Sequence, residues 1–260
     1  QEQNSYAGVT NKILAKGAKL ICVAYEGMER FFPKERILLT GNPVRKNLLE
    51  MRANRKEAMK AMNLDENKKC VLIVGGSLGA RSINEGIIAN IGKIRENSDI
   101  QFIWQTGKLY FEEMKRRAAE AGKPENLIIT DFVSNMANAL GAADLVVSRA
   151  GAGSISEFAL LGKAVILVPS PNVSEDHQTK NAMALVEKGA AIYVADAKAK
   201  DELVDKAVET VNNPGLIASL EKNVETMGKP NAADIIANEV MLLADAYIEK
   251  ETRRKKENLK

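Results

Sequence analysis

Two stretches of this chain have the residue types needed to hold a phosphate. One runs Val71-Leu72-Ile73-Val74-Gly75-Gly76-Ser77-Leu78-Gly79-Ala80-Arg81; the other runs from Asp144 to Glu157, DLVVSRAGAGSISE. Each reads as a short apolar strand, a turn of small residues and a helix start. A helix start offers unpaired N–H groups and the positive end of the helix dipole, and glycines let an anion approach the backbone. Two such cradles in one α/β unit point to a diphosphate held by neighbouring loops. The first cradle departs from the common fingerprints. Its G-G-S-x-G lacks the G-x-G-x-x-G spacing of a dinucleotide site and the Lys-Ser/Thr of a P-loop. Taken alone, a tight strand-to-helix turn with no ligand is its minority reading.

Five side chains nearby invite chemistry. Ser154 and Glu157 have the S-x-x-E spacing of a capping box, so Glu157 on this reading closes the helix start. The competing reading gives its carboxylate to the two hydroxyls of a ribose, because a carboxylate accepts two hydrogen bonds at once. Gln178 and Asn181 lie three apart at a helix start and either point amides at sugar hydroxyls or simply form a polar helix end. His177 is the only histidine. With two distant cysteines it makes no zinc set, and no Ser-His-Asp arrangement surrounds it.

These residues need a frame. From Lys69 onward, strand-like runs fall at 70–74, 100–104, 127–130, 144–148, 164–168 and 191–194. Amphipathic helices fall between and after them, at 81–95, 109–121, 134–142, 154–161, 177–188 and 201–212. That alternation predicts an α/β fold with a parallel sheet covered on both faces. Ligands of such sheets bind beyond the carboxyl ends of the strands, so both cradles are expected to face one crevice. Before this unit, short strands at 20–24 and 36–40 are too few to close a sheet of their own. They read as the end of an N-terminal domain that begins before Gln1. Gly41-Asn42-Pro43 marks the boundary, and a helix rich in Arg, Lys, Met and Ala follows to about Met62. A long amphipathic helix is predicted over 231–249, with Ile235, Ile236, Val240, Leu243 and Tyr247 on one face and a frayed, charged tail beyond. The domains are thus 1–42, 43–228 and 229–260.

Composition narrows the classes. A net charge of +3 over 260 residues and 5% aromatic content give no footprint for nucleic acid. Cys22 and Cys70 each lie in an apolar run, which reads as buried free thiols in a reducing compartment. No apolar run approaches the ~20 residues that span a bilayer. The run Arg253-Arg254-Lys255-Lys256 reads as a solvated helix end, with contact to anionic lipid as the minority reading.

Taken together, QEQNSYAGVTN, GNPVR, GGSLGARSIN, DFVSNMANAL, SRAGAGSISE and DHQTKNA resemble, in order and spacing, the MurG family of bacterial glycosyltransferases, from Gln1 to about Asn238. The resemblance implies a GT-B fold: two Rossmann-like domains facing a cleft, here a complete second domain and the end of a truncated first. It implies inverting transfer of GlcNAc from UDP-GlcNAc to lipid I (undecaprenyl-pyrophosphoryl-MurNAc-pentapeptide), giving lipid II for peptidoglycan, without cofactor or metal. It places the protein peripherally on the cytoplasmic face of the bacterial inner membrane, against an anionic lipid surface.

The resemblance also implies roles. Asn4 is a contact from the N-terminal domain, and Arg45 a donor contact beside the nucleotide. Ser77 meets the diphosphate, and the backbone of Val133 meets uracil. Ala152, Gly153, Ser154, Ile155, Ser156 and Glu157 form the loop and helix start around the α-phosphate, with Glu157 on the ribose. Gln178 meets the GlcNAc hydroxyls. The chain departs from the family at Gln1, where many members have His, and at Ser154, where Thr is common. The family's glycine-rich loop and candidate base histidine precede Gln1, so no catalytic residue is assigned here and His177 does not take that role. Two further readings remain: a non-catalytic UDP-sugar-binding subunit that needs a partner, and a GT-B transferase for another lipid acceptor.

Overall fold

The computed structural model describes residues 1–45, 48 and 54–258. The first segment contains helix α1 (Val9–Leu14) and strands β1 (Ile21–Val23) and β2 (Ile37–Leu39). The two strands pair in parallel, Ile21 opposite Ile37. They share a small core with Ala7, Met28 and Phe32. Glu2 bridges to Val23, adding an extended stretch beside β1.

The second part begins with α2 (Arg55–Ala61); the helix predicted after Arg45 otherwise falls on residues 46–53, most of which lie outside the described residues. There follow β3 (Lys69–Val74), α3 (Arg81–Ala89), α4 (Ile91–Glu96), β4 (Ile100–Gln105), α5 (Phe111–Glu120), β5 (Leu127–Thr130), α6 (Met136–Ala142), β6 (Leu145–Ser148) and α7 (Ala152–Leu161). Then come β7 (Val165–Leu167), α8 (His177–Val186), β8 (Ile192–Tyr193), α9 (Ala199–Val211), α10 (Pro214–Glu225) and α11 (Ala232–Glu257). Strands β3 to β8 form one parallel sheet in the order β5-β4-β3-β6-β7-β8. Side chains alternate across it with the period of two that a strand imposes. Cys70, Leu72 and Val74 enter one core with Val146, while Val71 and Ile73 enter the other with Leu145 and Val147. Both faces are dry, which is why these strands read as unbroken apolar runs. Cys22 and Cys70 are buried and free.

Several expected boundaries move. The helix expected over 81–95 breaks at Asn90 (φ −118°, ψ 24°). The Asn90 amide donates to the carbonyls of Gly86 and Lys200, both at 2.8 Å, and so ties the break to α9. Helix α10 was not anticipated, although its start is written in the sequence: the Asn213 side chain accepts from the N–H of Leu216 at 3.0 Å, with Pro214 in the first turn. The charged tail is helical through Glu257 rather than frayed from 251. The face predicted on α11 is not buried here: Ile235, Val240 and Tyr247 are 38%, 59% and 59% exposed. At the predicted boundary, Gly41 has φ +82° and a Cβ there would stand 2.4 Å from Cβ of Lys229. Only glycine lets the crossing chain pass that close to the approach to α11.

Candidate functional site

Strands β3 and β6 are neighbours, with Val74 opposite Ser148. The connections reverse direction between them, so this is the switch point of the sheet, where a crevice opens beyond the strand ends. The turn after β3 and the turn after β6 leave from that point side by side, as the two-cradle reading expected. Neither helix start, Ala80 for α3 or Gly151 for α7, is closed by a side-chain hydrogen bond. Their first N–H groups are therefore available to an anion. A Cβ added at Gly76, Gly151 or Gly153 would meet nothing within 4 Å, so these three line open space. Gly79 differs. It has φ +81°, and a Cβ there would lie 2.1 Å from the Thr106 carbonyl oxygen. It is a packing glycine that seats the first cradle on the end of β4.

The capping box is not formed. α7 starts at Ala152 with Gly151 as its N-cap, in extended backbone (φ −70°, ψ 139°). Ser154 is thus inside the first turn, and Glu157 is nearly two turns in, too far along to reach back to the helix start. Its carboxylate Oε1 instead accepts from Arg45 Nη2 at 3.3 Å. Arg45 and Glu157 therefore lie together, the arginine 66% exposed and the glutamate 22%.

The other predicted residues fall as follows. Ser77 is exposed on the first cradle, and Gly153 is exposed beside half-buried Ala152 and Ser154. The side chain of Ile155 is in the core, leaving only its backbone at the helix start. Ser156 donates to the Ala152 carbonyl at 2.9 Å and accepts from Asn42 Nδ2 at 3.1 Å, so its hydroxyl joins the boundary segment to α7. Val133 is buried with its side chain in the core, while Phe132 beside it is 50% exposed. Gln178 Oε1 accepts from the N–H groups of Ala150 and Ser170 at 3.3 and 2.9 Å. Its oxygen clasps the β6 and β7 turns together. Asn181 is 1% exposed and corrects the alternative that gave it to the ligand. It accepts from the Ser5 N–H at 2.9 Å and donates to Asn4 Oδ1 at 3.0 Å and the Ala150 carbonyl at 3.3 Å. Asn4 is thus fixed against the second cradle across the boundary. Glu2 holds Asn4 from the other side: its buried carboxylate accepts from Asn4, Gly8 and Asn11 at 2.9–3.2 Å. Burial pushes this carboxyl up, but the bonds from Asn11, Asn4 and Gly8 outweigh it and hold it below the usual range.

Two residues of the site were missed. Gln105, 3% exposed at the end of β4, accepts from the Gly75 N–H at 3.2 Å and donates to the carbonyls of Gly76 and Asp131 at 2.9 and 3.2 Å. It fixes the first cradle relative to the loop that carries Val133. Arg149 donates to the carbonyls of Val168 and Pro169 at 2.9 and 3.2 Å and to Ser82 Oγ at 3.1 Å, and it also pairs with Asp196. It ties the second cradle to α3, β7 and the turn before α9. A polar residue closing an apolar strand is the signal for Gln105. For Arg149 no local signal exists, because its partners come from three separate stretches of chain. Between Gly75, Arg81, Arg149 and Gln178 a groove of about 600 Å³ remains open.

Comparison with known proteins gives this geometry a family. The model of the glycosyltransferase family 28 C-terminal domain matches residues 70–236. A relative from Phocaeicola vulgatus, named UDP-N-acetylglucosamine–N-acetylmuramyl-(pentapeptide) pyrophosphoryl-undecaprenol N-acetylglucosamine transferase, is 60% identical over 247 residues, covering 95% of this chain and 65% of the relative. One of the same name from Cytophaga hutchinsonii is 50% identical, over 92% of this chain and 63% of that protein. The chain thus spans just under two thirds of the length of these relatives. Among solved structures, MurG of Acinetobacter baumannii is 30% identical with a TM-score of 0.72, over 92% of this chain and 66% of that one. The UDP-GlcNAc 2-epimerase of Neisseria meningitidis shares the fold, with a TM-score of 0.66 at 13% identity, over 88% of this chain and 63% of that one. With the family model spanning both cradles and the whole six-stranded sheet, the chain belongs to glycosyltransferase family 28 and carries its C-terminal domain.

Proposed function

We propose that this chain forms the donor-binding part of an inverting transferase that moves GlcNAc from UDP-GlcNAc to lipid I, giving lipid II for peptidoglycan. The observation that carries the reading is the pair of uncapped helix starts, side by side at the switch point, with open glycines at Gly76, Gly151 and Gly153. The pyrophosphate lies between them, with Ser77 on one side and Gly153 and Ser154 on the other. Glu157 takes the ribose hydroxyls, the Val133 backbone takes uracil and the Gln178 amide takes GlcNAc. Arg45 neutralises charge near the nucleotide, and Asn4, held by Asn181 and Glu2, completes the sugar side. On this reading residues 1–42 belong to an acceptor domain, 43–228 to the donor domain, and 229–260 to a helix that returns toward the acceptor domain.

The chemistry is direct displacement at the anomeric carbon. The acceptor hydroxyl attacks, the C–O bond to the diphosphate breaks, and UDP leaves with the electron pair. The two helix starts stabilise the negative charge that grows on the leaving diphosphate, and their dipoles are already oriented when it develops. No residue of the chain is assigned as the base.

The membrane assignment follows from the family resemblance, and α1 supports it: Val9, Ile13 and Leu14 are 57%, 62% and 63% exposed, with Lys12 in the helix and Lys16 just beyond it. An apolar tip rimmed by lysines suits the anionic cytoplasmic face of the inner membrane, with the protein held peripherally. Among the described residues no helix is long and apolar enough to cross a membrane. Calorimetric titration tests the donor reading: UDP-GlcNAc and UDP are expected to bind saturably at one site, and UDP-glucose more weakly than UDP-GlcNAc. Absence of saturable UDP binding would refute it.

A further inference from the structure

A second cleft lies away from the cradles, where the first segment meets the sheet domain. It has two chambers. One, of about 300 Å³, is walled by Leu39 and Val44 from the first segment and crossing and by Ile155, Ala159 and Met227 from the domain, with Lys229 at its side. The other, of about 440 Å³, lies between Tyr6 and Arg30 on one side and Lys180 and Met183 on the other. Tyr25, Glu26, Lys188 and Met227 line both chambers and form the partition between them. None of Ser77, Ser154, Glu157 and Gln178 lines either one. Ile155 and Glu157 are two residues apart on α7 and so point about 200° apart around the helix. The smaller chamber therefore shares Ile155 and Ser156 with the helix start expected around the α-phosphate, but it opens on the side of α7 turned away from Glu157.

Its chemistry is specific. The smaller chamber sets an apolar wall of Leu39, Val44, Ile155, Ala159 and Met227 against the polar side chains of Asn42, Ser156 and Thr226. Four cations border the two chambers, Arg30, Lys180, Lys188 and Lys229, against two carboxylates, Glu26 and Glu187. Glu26 is already paired with Lys188 at 2.9 Å. The Tyr25 hydroxyl in the partition is sealed from solvent and has no hydrogen-bond partner among the described residues. A buried hydroxyl is almost always paired, so an unpaired one beside a cavity marks a missing acceptor. Met227 and the Lys188 stem, which share the partition, are among the most adaptable side chains, so a guest that displaces them reaches that hydroxyl.

We propose that this cleft is a second ligand site, taking a small anion on an apolar body, such as a medium-chain or aromatic carboxylate. The apolar part fills the chamber under Leu39, Val44 and Ile155. The carboxylate accepts from Tyr25 and faces Lys229. Because the walls come from both sides of the Gly41–Val44 crossing, an occupant bridges the first segment and the domain.

Hexanoate is the probe, read by methyl NMR of protein labelled at its nine methionines, with Met227→Leu assigning the Met227 signal. Hexanoate is expected to shift the Met227 methyl saturably. Hexylamine and acetate, which lack the charge or the body, are expected to leave it unmoved. Tyr25→Phe and Lys229→Gln should each weaken hexanoate at least fivefold. Tyr25→Phe removes an unpaired hydroxyl and keeps the ring, so the fold should persist; Lys229→Gln tests the same site independently. No saturable shift, equal response to hexylamine, or unchanged affinity in both variants would overturn the assignment. UDP titrated into the same samples reports the donor crevice separately, so either reading can fail without the other.

Discussion

Glu157 allows the sharpest test of the donor site. Its helix starts at Ala152, so the carboxylate has no capping work, and among the described residues its partner is Arg45 at 3.3 Å. That arginine is 66% exposed, and a pair of this kind contributes about 0–1 kcal/mol. Glu157→Ala should therefore change unfolding free energy by less than ~1 kcal/mol, with no uncompensated charge left in the core. Loss of a charged hydrogen bond to ribose costs ~1.5–3 kcal/mol. That corresponds to a dissociation constant for UDP raised about 10- to 150-fold. The assay is calorimetric titration of wild type and Glu157→Ala with UDP and 2′-deoxy-UDP. In wild type the missing hydroxyl should weaken binding. In the variant the two nucleotides should bind alike, because the group that distinguished them has gone. If the variant loses affinity equally for both nucleotides, Glu157 acts through Arg45 or the helix and the ribose assignment fails. If it loses none, the carboxylate has no part in the site.

Four further outcomes follow from the same geometry. Gly79→Ala forces a side chain into φ +81° and onto the Thr106 carbonyl, and should cost at least ~2 kcal/mol in urea unfolding. Gly153→Ala meets open space within the first turn of α7 and should be neutral or stabilising by up to ~1 kcal/mol. Hydrogen bonds from Asn11, Asn4 and Gly8 hold the Glu2 carboxyl below the usual carboxylate range, so its stabilisation is present above that range and is lost as pH falls through the lower folded value. Glu2→Gln should therefore lose less stability than wild type between pH 6 and 3, measured by urea unfolding at each pH. Asn213→Ala removes the side chain that accepts from the Leu216 N–H and should cost ~1 kcal/mol, with UDP affinity unchanged.

Much of this molecule is written locally. A strand buried on both faces must be apolar throughout, so β3 to β7 stand out as runs, and the small residues after β3 and β6 mark turns where backbone can approach an anion. Those signals sufficed for an α/β parallel sheet and for two cradles at strand ends. The start of α10 is equally local, in the Asn213 cap and Pro214. Other features depend on partners distant in sequence. That β3 lies next to β6 is a matter of strand order, and it alone puts the cradles side by side. Whether Glu157 caps its helix turned on a shift of two residues in the start of α7, set by the backbone of Gly151. Gln178 and Asn181 look alike along the chain. Folding assigns the oxygen of one to two turns and buries the other against Ser5 and Asn4, because a buried amide must satisfy its hydrogen bonds with whatever backbone surrounds it. The sequence by itself therefore determined the element types and the anion-holding turns, which depend on neighbouring residues. Only tertiary structure decided strand order, the roles of Gln105 and Arg149, and which polar groups remain free for a ligand, since each depends on contacts between residues far apart in the chain.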